Sequence, residues 1–85
     1  MTKQELLDLL EDEQCLLADG YDDALIGIGY QFTTPMAVYD RNKVLEILMA
    51  DGLDYTDALE WFEFNIQGAY VGEKTPVFIE LATED

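Results

Sequence analysis

Apolar residues fall along the chain in two kinds of run. Leu6, Leu9 and Leu10, then Leu16 and Leu17, recur at the spacing that lines one face of a helix. Thr2 and Glu5 ahead of them have the pattern of a capping box, each side chain serving the other's backbone amide. The spacing predicts a helix to about Ala18, closed by Asp19-Gly20; Glu11, Asp12 and Glu13 oppose the helix dipole, which leaves an earlier end as the alternative. Ala24-Leu25-Ile26-Gly27-Ile28-Gly29-Tyr30 is short, branched and punctuated by glycine, which suits a buried strand with Gly27 and Gly29 at packing or bulge positions. Gln31 to Pro35 reads as a turn and Met36-Ala37-Val38-Tyr39 as the second strand of a hairpin.

The helical period returns after Asp40, a good N-cap. A second helix from Arg41 to Ala50 carries Val44, Ile47 and Leu48 on one stripe, widened by Leu45 and Met49. Gly52-Leu53 has the form of a left-handed stop with its apolar contact. A third helix, capped by Asp54 or Thr56, aligns Leu59, Phe62 and Ile66, with Ala58, Trp61 and Asn65 beside them, and ends at Gly68. Beyond a loop holding Gly72 and Thr75-Pro76, Val77 to Leu81 reads as a third strand. The order α-β-β-α-α-β predicts an α+β domain, residues 1-85, in which about three helices pack on a small, three-stranded, mainly antiparallel sheet.

Composition supports a folded core and narrows the chemistry. Of the 85 residues, 49% are hydrophobic and 12% aromatic, which argues against disorder. Histidine is absent and cysteine occurs once, as Cys15, so the commonest general base, the commonest metal ligand and any intrachain disulfide are missing together. Acids around Cys15 make it a poor nucleophile, and packing is its expected role. Asp51-Gly52-Leu53-Asp54-Tyr55-Thr56-Asp57 gathers acids at a spacing that suits helix caps better than a calcium loop. Gly27-Ile28-Gly29 lacks the following helix start of a phosphate-binding loop. Paired carboxylates of the glycosidase kind need a cleft for which so small a chain has little room. The expectation is a protein with no catalytic residues, no cofactor and no metal.

Charge alters the picture most. Nineteen Asp and Glu against four Lys and Arg give a formal net charge of -15. Such a chain is soluble, is repelled by nucleic acid and anionic membranes, and is steered toward basic surfaces, which in cells mostly belong to nucleic-acid-holding proteins. The first residues do not read as a signal peptide, and no run approaches the roughly 18 apolar residues of a membrane span, so the expected location is the cytoplasm. The acids fall in rows. Glu5, Asp8 and Asp12 share a face away from the leucines of the first helix, with Glu11 and Glu13 nearby, and Asp57, Glu60 and Glu63 lie opposite Phe62 and Ile66 on the third. Of these, Asp8, Glu11, Asp12, Glu13, Asp57, Glu60 and Glu63 are the candidate partner-binding residues. Within a row neighbouring carboxylates stand about 5–6 Å apart, against one charge per roughly 1.7 Å along duplex DNA. A single row is a solvated helix face; two rows on a common surface approach the density of a nucleic-acid mimic.

Tyr39-Asp40-Arg41, Glu46-Ile47-Leu48-Met49, Trp61-Phe62-Glu63-Phe64-Asn65, Gly68-Ala69-Tyr70-Val71-Gly72-Glu73 and Thr75-Pro76-Val77-Phe78 together resemble a family of small bacteriophage and prophage proteins with no assigned function. The resemblance covers about half the chain, with a weaker match at Asp23-Ala24-Leu25-Ile26-Gly27, and it implies no catalytic residue. The phage origin it implies sets the expectation of an inhibitor of host defence, of the anti-CRISPR or antirestriction kind, that occupies a nucleic-acid groove. The most acidic stretch, Glu11-Asp12-Glu13, lies outside the family-like segments. Two readings follow: an acidic protein that binds the basic surface of a host nucleic-acid-binding protein through the two rows, without touching nucleic acid or membrane; or a structural or adaptor module, homodimeric through apolar helix faces, whose acidity serves solubility. Trp61 and Phe64 flank the buried face of the third helix and most of the aromatics are expected at the core or its edge, while a few exposed ones beside acids would anchor a basic partner or a second copy of the chain.

Overall fold

The structure is a computed structural model that describes residues 1–67 and 72–82. The capping box at its start is formed: the Glu5 amide donates to Thr2 Oγ1 at 3.1 Å and the Thr2 amide to Glu5 Oε1 at 3.0 Å. These bonds to Thr2 hold the Glu5 carboxyl below its usual range and open α1 (Lys3–Asp12). α1 stops at Asp12, short of the expected Ala18. Gln14 takes φ 59, its amide donates to the Glu11 carbonyl at 2.9 Å, and the Cys15 amide donates to the Leu10 carbonyl at 2.9 Å. That is a Schellman closure with glutamine where glycine is usual, and Leu10 and Cys15 share the core on its inner side. The last turn holds no basic residue, and Lys74 supplies one from far along the chain, donating Nζ to the Glu13 carbonyl. Leu16 and Leu17, expected on the helix stripe, instead follow the closure and are exposed.

β1 (Leu25–Gln31) and β2 (Thr34–Asp40) pair antiparallel, with Gln31 opposite Thr34 across a two-residue turn. Phe32 occupies the first turn position at φ 58. A bulge falls between Leu25 and Gly27. Gly29 is the packing glycine: a Cβ there would stand 3.0 Å from Val38 Cγ2. β3 (Val77–Ile79) runs parallel to β2, Val38 opposite Val77 and Asp40 opposite Ile79, giving the order β1-β2-β3. β3 is shorter than the expected Val77 to Leu81 because its template ends: Asp40 leaves the ladder to cap the next helix.

Asp40 accepts from the Asn42 and Lys43 amides at 3.0 and 3.4 Å and starts α2 (Arg41–Ala50). Gly52, at φ 113, closes it as expected, with the Leu53 amide donating to the Leu48 carbonyl at 3.4 Å. Of the two candidate caps for the next helix it is Asp54 that accepts, from the Asp57 amide at 2.8 Å, and α3 (Tyr55–Phe62) follows. α3 runs on into a π-helical turn, Glu63–Gln67. The expected stop at Gly68 lies outside the described residues, as does Tyr70.

All three helices bury residues in one cluster with one face of the sheet: Leu6 and Leu10 from α1, Val44 and Leu48 from α2, Ala58 and Phe62 from α3, against Leu25, Ala37 and Tyr39. The fold is thus α+β in the order α-β-β-α-α-β. Its centre is aromatic. Tyr39 stacks on Phe78 with ring centroids 5.4 Å apart, and Phe62 meets Phe78 edge-on at 5.2 Å. Arg41 lies over the far side of this group, Cζ 5.3 Å from the Phe62 centroid. The Tyr39 hydroxyl accepts from the Ala18 amide at 2.8 Å, tying the segment after α1 to the sheet.

Tyr39→Phe removes that acceptor and is expected to cost about 1 kcal/mol in urea unfolding with an unchanged m value. Burial raises the Tyr39 phenol above its ordinary 10.0, a change the Ala18 bond only partly opposes. The folded state therefore holds the proton more tightly than the unfolded one, and stability falls as pH rises above about 10. In Tyr39→Phe that alkaline loss is expected to be shallower, read from urea midpoints between neutral and strongly alkaline pH.

Candidate functional site

Every described Asp and Glu except the half-buried Asp40 is exposed. Asp8, Glu11 and Asp12 stand on α1 and Glu13 is its C-cap. Asp57 and Glu60 stand on α3, and Glu63 opens the π turn. Asp8, Glu11 and Asp12 face solvent as the helical period places them, whereas Glu13, which that period sets on the leucine stripe, is exposed because α1 ends at Asp12.

The four cations are all held by the fold. Lys3 Nζ donates to the backbone carbonyls of Asp22 and Leu25 at 2.7 and 2.8 Å, fastening α1 to the start of β1. Lys74 serves the end of α1. Arg41 meets Glu80 at 3.2 Å and Lys43 meets Glu46 at 3.7 Å. Neither ion pair involves a carboxylate of the two rows; the cation nearest a row is Lys74, bonded to the Glu13 backbone carbonyl. Two of the four positive charges are bonded to backbone oxygens and leave carboxylates elsewhere uncompensated.

The structure brings part of one row to a concavity. Asp57 and Glu60 border a shallow hollow of about 300 Å³ with Leu53, Trp61 and Phe64. Trp61 and Asn65 also line a larger hollow of about 570 Å³, whose opposite wall is Leu16, Leu17, Asp19 and Tyr21. The Asn65 side-chain amide donates to the Trp61 carbonyl at 3.1 Å and steadies the π turn between the two hollows. A third hollow, of about 460 Å³, lies beside the hairpin tip between Phe32 and the segment Gly72–Val77. Asp8, Glu11, Asp12, Glu13 and Glu63 line none of the three.

Several aromatics lie farther out than expected. Trp61 is 43% exposed and Phe64 83%. Tyr39 is in the core and Tyr21 at its edge, but Tyr30 and Tyr55 are exposed. Helical geometry is the physical reason at α3: Trp61 and Phe64 stand about 100° and 200° around the axis from the buried Phe62, while Ile66, one turn on, still packs against the core. The groove residues Leu16, Leu17, Asp19 and Asn65 were missed by the sequence reading. The one available signal was the pair of leucines directly after the acidic run.

Among the described residues no group of three or more carboxylates or thiols stands together as a metal site. Asp51 and Asp54 instead close α2 and open α3. Burial pushes the Cys15 thiol up, outweighing the nearby Lys74 charge, which keeps it protonated at neutral pH. No described helix is long and apolar enough to cross a membrane. Compared with known proteins, the chain matches no family model, no curated protein and no solved structure.

With the cations so placed, self-repulsion among the acids opposes the folded state. Raising NaCl from about 0.01 M to about 1 M contracts the Debye length from about 30 Å to about 3 Å. The melting temperature is expected to climb across that range. A flat or falling profile by calorimetry would show that repulsion does not limit stability.

Proposed function

We propose that this chain is a phage-type acidic binding protein that inhibits a host nucleic-acid-handling or defence enzyme by competing for its basic groove, with no catalysis of its own. The observation that carries the reading is the disposition of charge: a net -15 whose four cations are each bonded within the chain, beside a surface of exposed carboxylates. An uncompensated field of this kind raises the encounter rate with a positive surface and repels nucleic acid itself, so the partner is a basic protein surface. Asp8, Glu11, Asp12 and Glu13 at α1 and Asp57, Glu60 and Glu63 at α3 and its π turn present the charge. The action belongs in the cytoplasm of the host. The alternative, a homodimeric adaptor, draws on the exposed Trp61 and Phe64, and it predicts a mass that depends on protein concentration and hardly on salt.

The test begins with capture of partners by tagged protein from nuclease-treated bacterial lysate at low and high salt. Asp8→Lys with Glu11→Lys, or Asp57→Lys with Glu60→Lys, is then expected to weaken the captured pair about tenfold or more and to flatten its salt dependence. On α1 the reversal places cations toward the C-terminal end, where the helix dipole favours them, so lost binding there is not lost folding. Unchanged affinity after both double reversals would sink the reading.

A further inference from the structure

The groove between the Leu16–Ala18 segment and the end of α3 differs from the rest of the acidic surface in being apolar. We propose that it docks a cationic amphipathic helix of the partner, seating an apolar side chain against Trp61 and setting lysine or arginine beside Asp57, Glu60 and Asp19. The inference rests on the function proposed above and names the part of the partner that the acidic surface recruits.

Three observations choose this occupant. The larger hollow, about 570 Å³, is walled by Leu16, Leu17, Tyr21, Trp61, Ile66 and Phe78, a volume in the range of sites that accept large side chains. Its neighbour, sharing Trp61, is edged by Asp57 and Glu60, and Asp19 edges the larger one. Among the described residues lining either hollow there is no Lys or Arg. Trp61, Asn65 and Ile66 belong to the end of α3 and its π turn, and the last turn of α3 carries no basic residue. The negative end of the helix dipole therefore adds to the carboxylates at the same place. An apolar floor with an anionic rim complements a helix with apolar residues at every third and fourth position and cations flanking them. A second copy of this chain would bring its own -15 to that rim, which argues against self-association there.

Trp61 is the one tryptophan of the chain, so its emission reports occupancy in the intact protein. The probes are three synthetic peptides of about 14 residues, long enough to form helix on a surface. One has leucines in a helical stripe with lysines opposite, one has the same composition scrambled, and one has the stripe with glutamates for lysines. The patterned cationic peptide is expected to shift Trp61 emission to the blue and saturate. The scrambled peptide should bind at least about tenfold more weakly, and the acidic one should leave emission unchanged. Leu16→Ser with Phe64→Ser is expected to weaken the patterned peptide about tenfold by calorimetry, with a cooperative melting transition retained because Phe64 is 83% and Leu16 42% exposed.

Equal binding of patterned and scrambled cationic peptides, or full binding by the serine variant, would overturn the groove while leaving electrostatic competition intact. If neither cationic peptide binds better than the acidic one, the charge reading fails together with the groove. Emission that changes on dilution without peptide would assign the groove to a second copy and overturn the proposal.

Discussion

The structure turns on Tyr39. Its ring stacks on Phe78 of β3, Phe78 meets Phe62 of α3, and its hydroxyl accepts the Ala18 amide from the segment after α1. One side chain on the central strand thus joins the third strand, the third helix and the exit from the first. The burial it provides is apolar along the ring and polar at the tip, and each end has a partner, as a buried tyrosine requires. The segment Gln14–Ala18 has no regular structure of its own. What fixes it is the Tyr39 hydroxyl on one side and the Lys74 carbonyl, which accepts from the Leu16 amide at 3.3 Å, on the other. The groove wall formed by Leu16 and Leu17 is therefore a product of core packing.

The few cations explain how so acidic a chain closes at all. Lys3 and Lys74 bond backbone oxygens at the two ends of α1's contact with the rest of the molecule. A lysine so placed satisfies carbonyls and softens local repulsion, which a surface ion pair does only weakly. No charged side chain is buried among the described residues. The acids are left to solvent, where their mutual repulsion depends on salt, and the folding energy comes from the apolar cluster.

Local chemistry was legible in the sequence. The Thr2–Glu5 box, Asp40 and Asp54 as caps, Gly52 as a left-handed stop and the element order depend on residues a few positions apart, and each stands in the structure. What could not be read depends on partners distant along the chain. The early end of α1 needs Gln14 in a glycine conformation and Lys74 at the Glu13 carbonyl. The length of β3 is set by where Asp40 turns away, and its parallel sense by a connection that periodicity does not encode. For the site, the helical period put Asp8, Asp12, Asp57 and Glu60 in solvent, as found, while Glu13 owes its exposure to the early end of α1. It did not place Leu16 and Leu17 opposite Trp61, because it assigned those leucines to a helix that had already ended.

The parallel pairing of β3 has an entropic consequence. Of the two strand connections in the sheet, β1 to β2 closes across two residues, whereas β2 to β3 closes across two helices. Loop-closure entropy grows with that length, and a short ladder of three residue pairs, the Phe78 ring and the Arg41–Glu80 pair offset it. On loop-closure entropy alone the third strand costs more to dock than the second, and Lys74, just before it, ties that cost to the end of α1. By that measure closure grows harder from the hairpin outward, and the acidic end of α1 is coupled to the outermost strand.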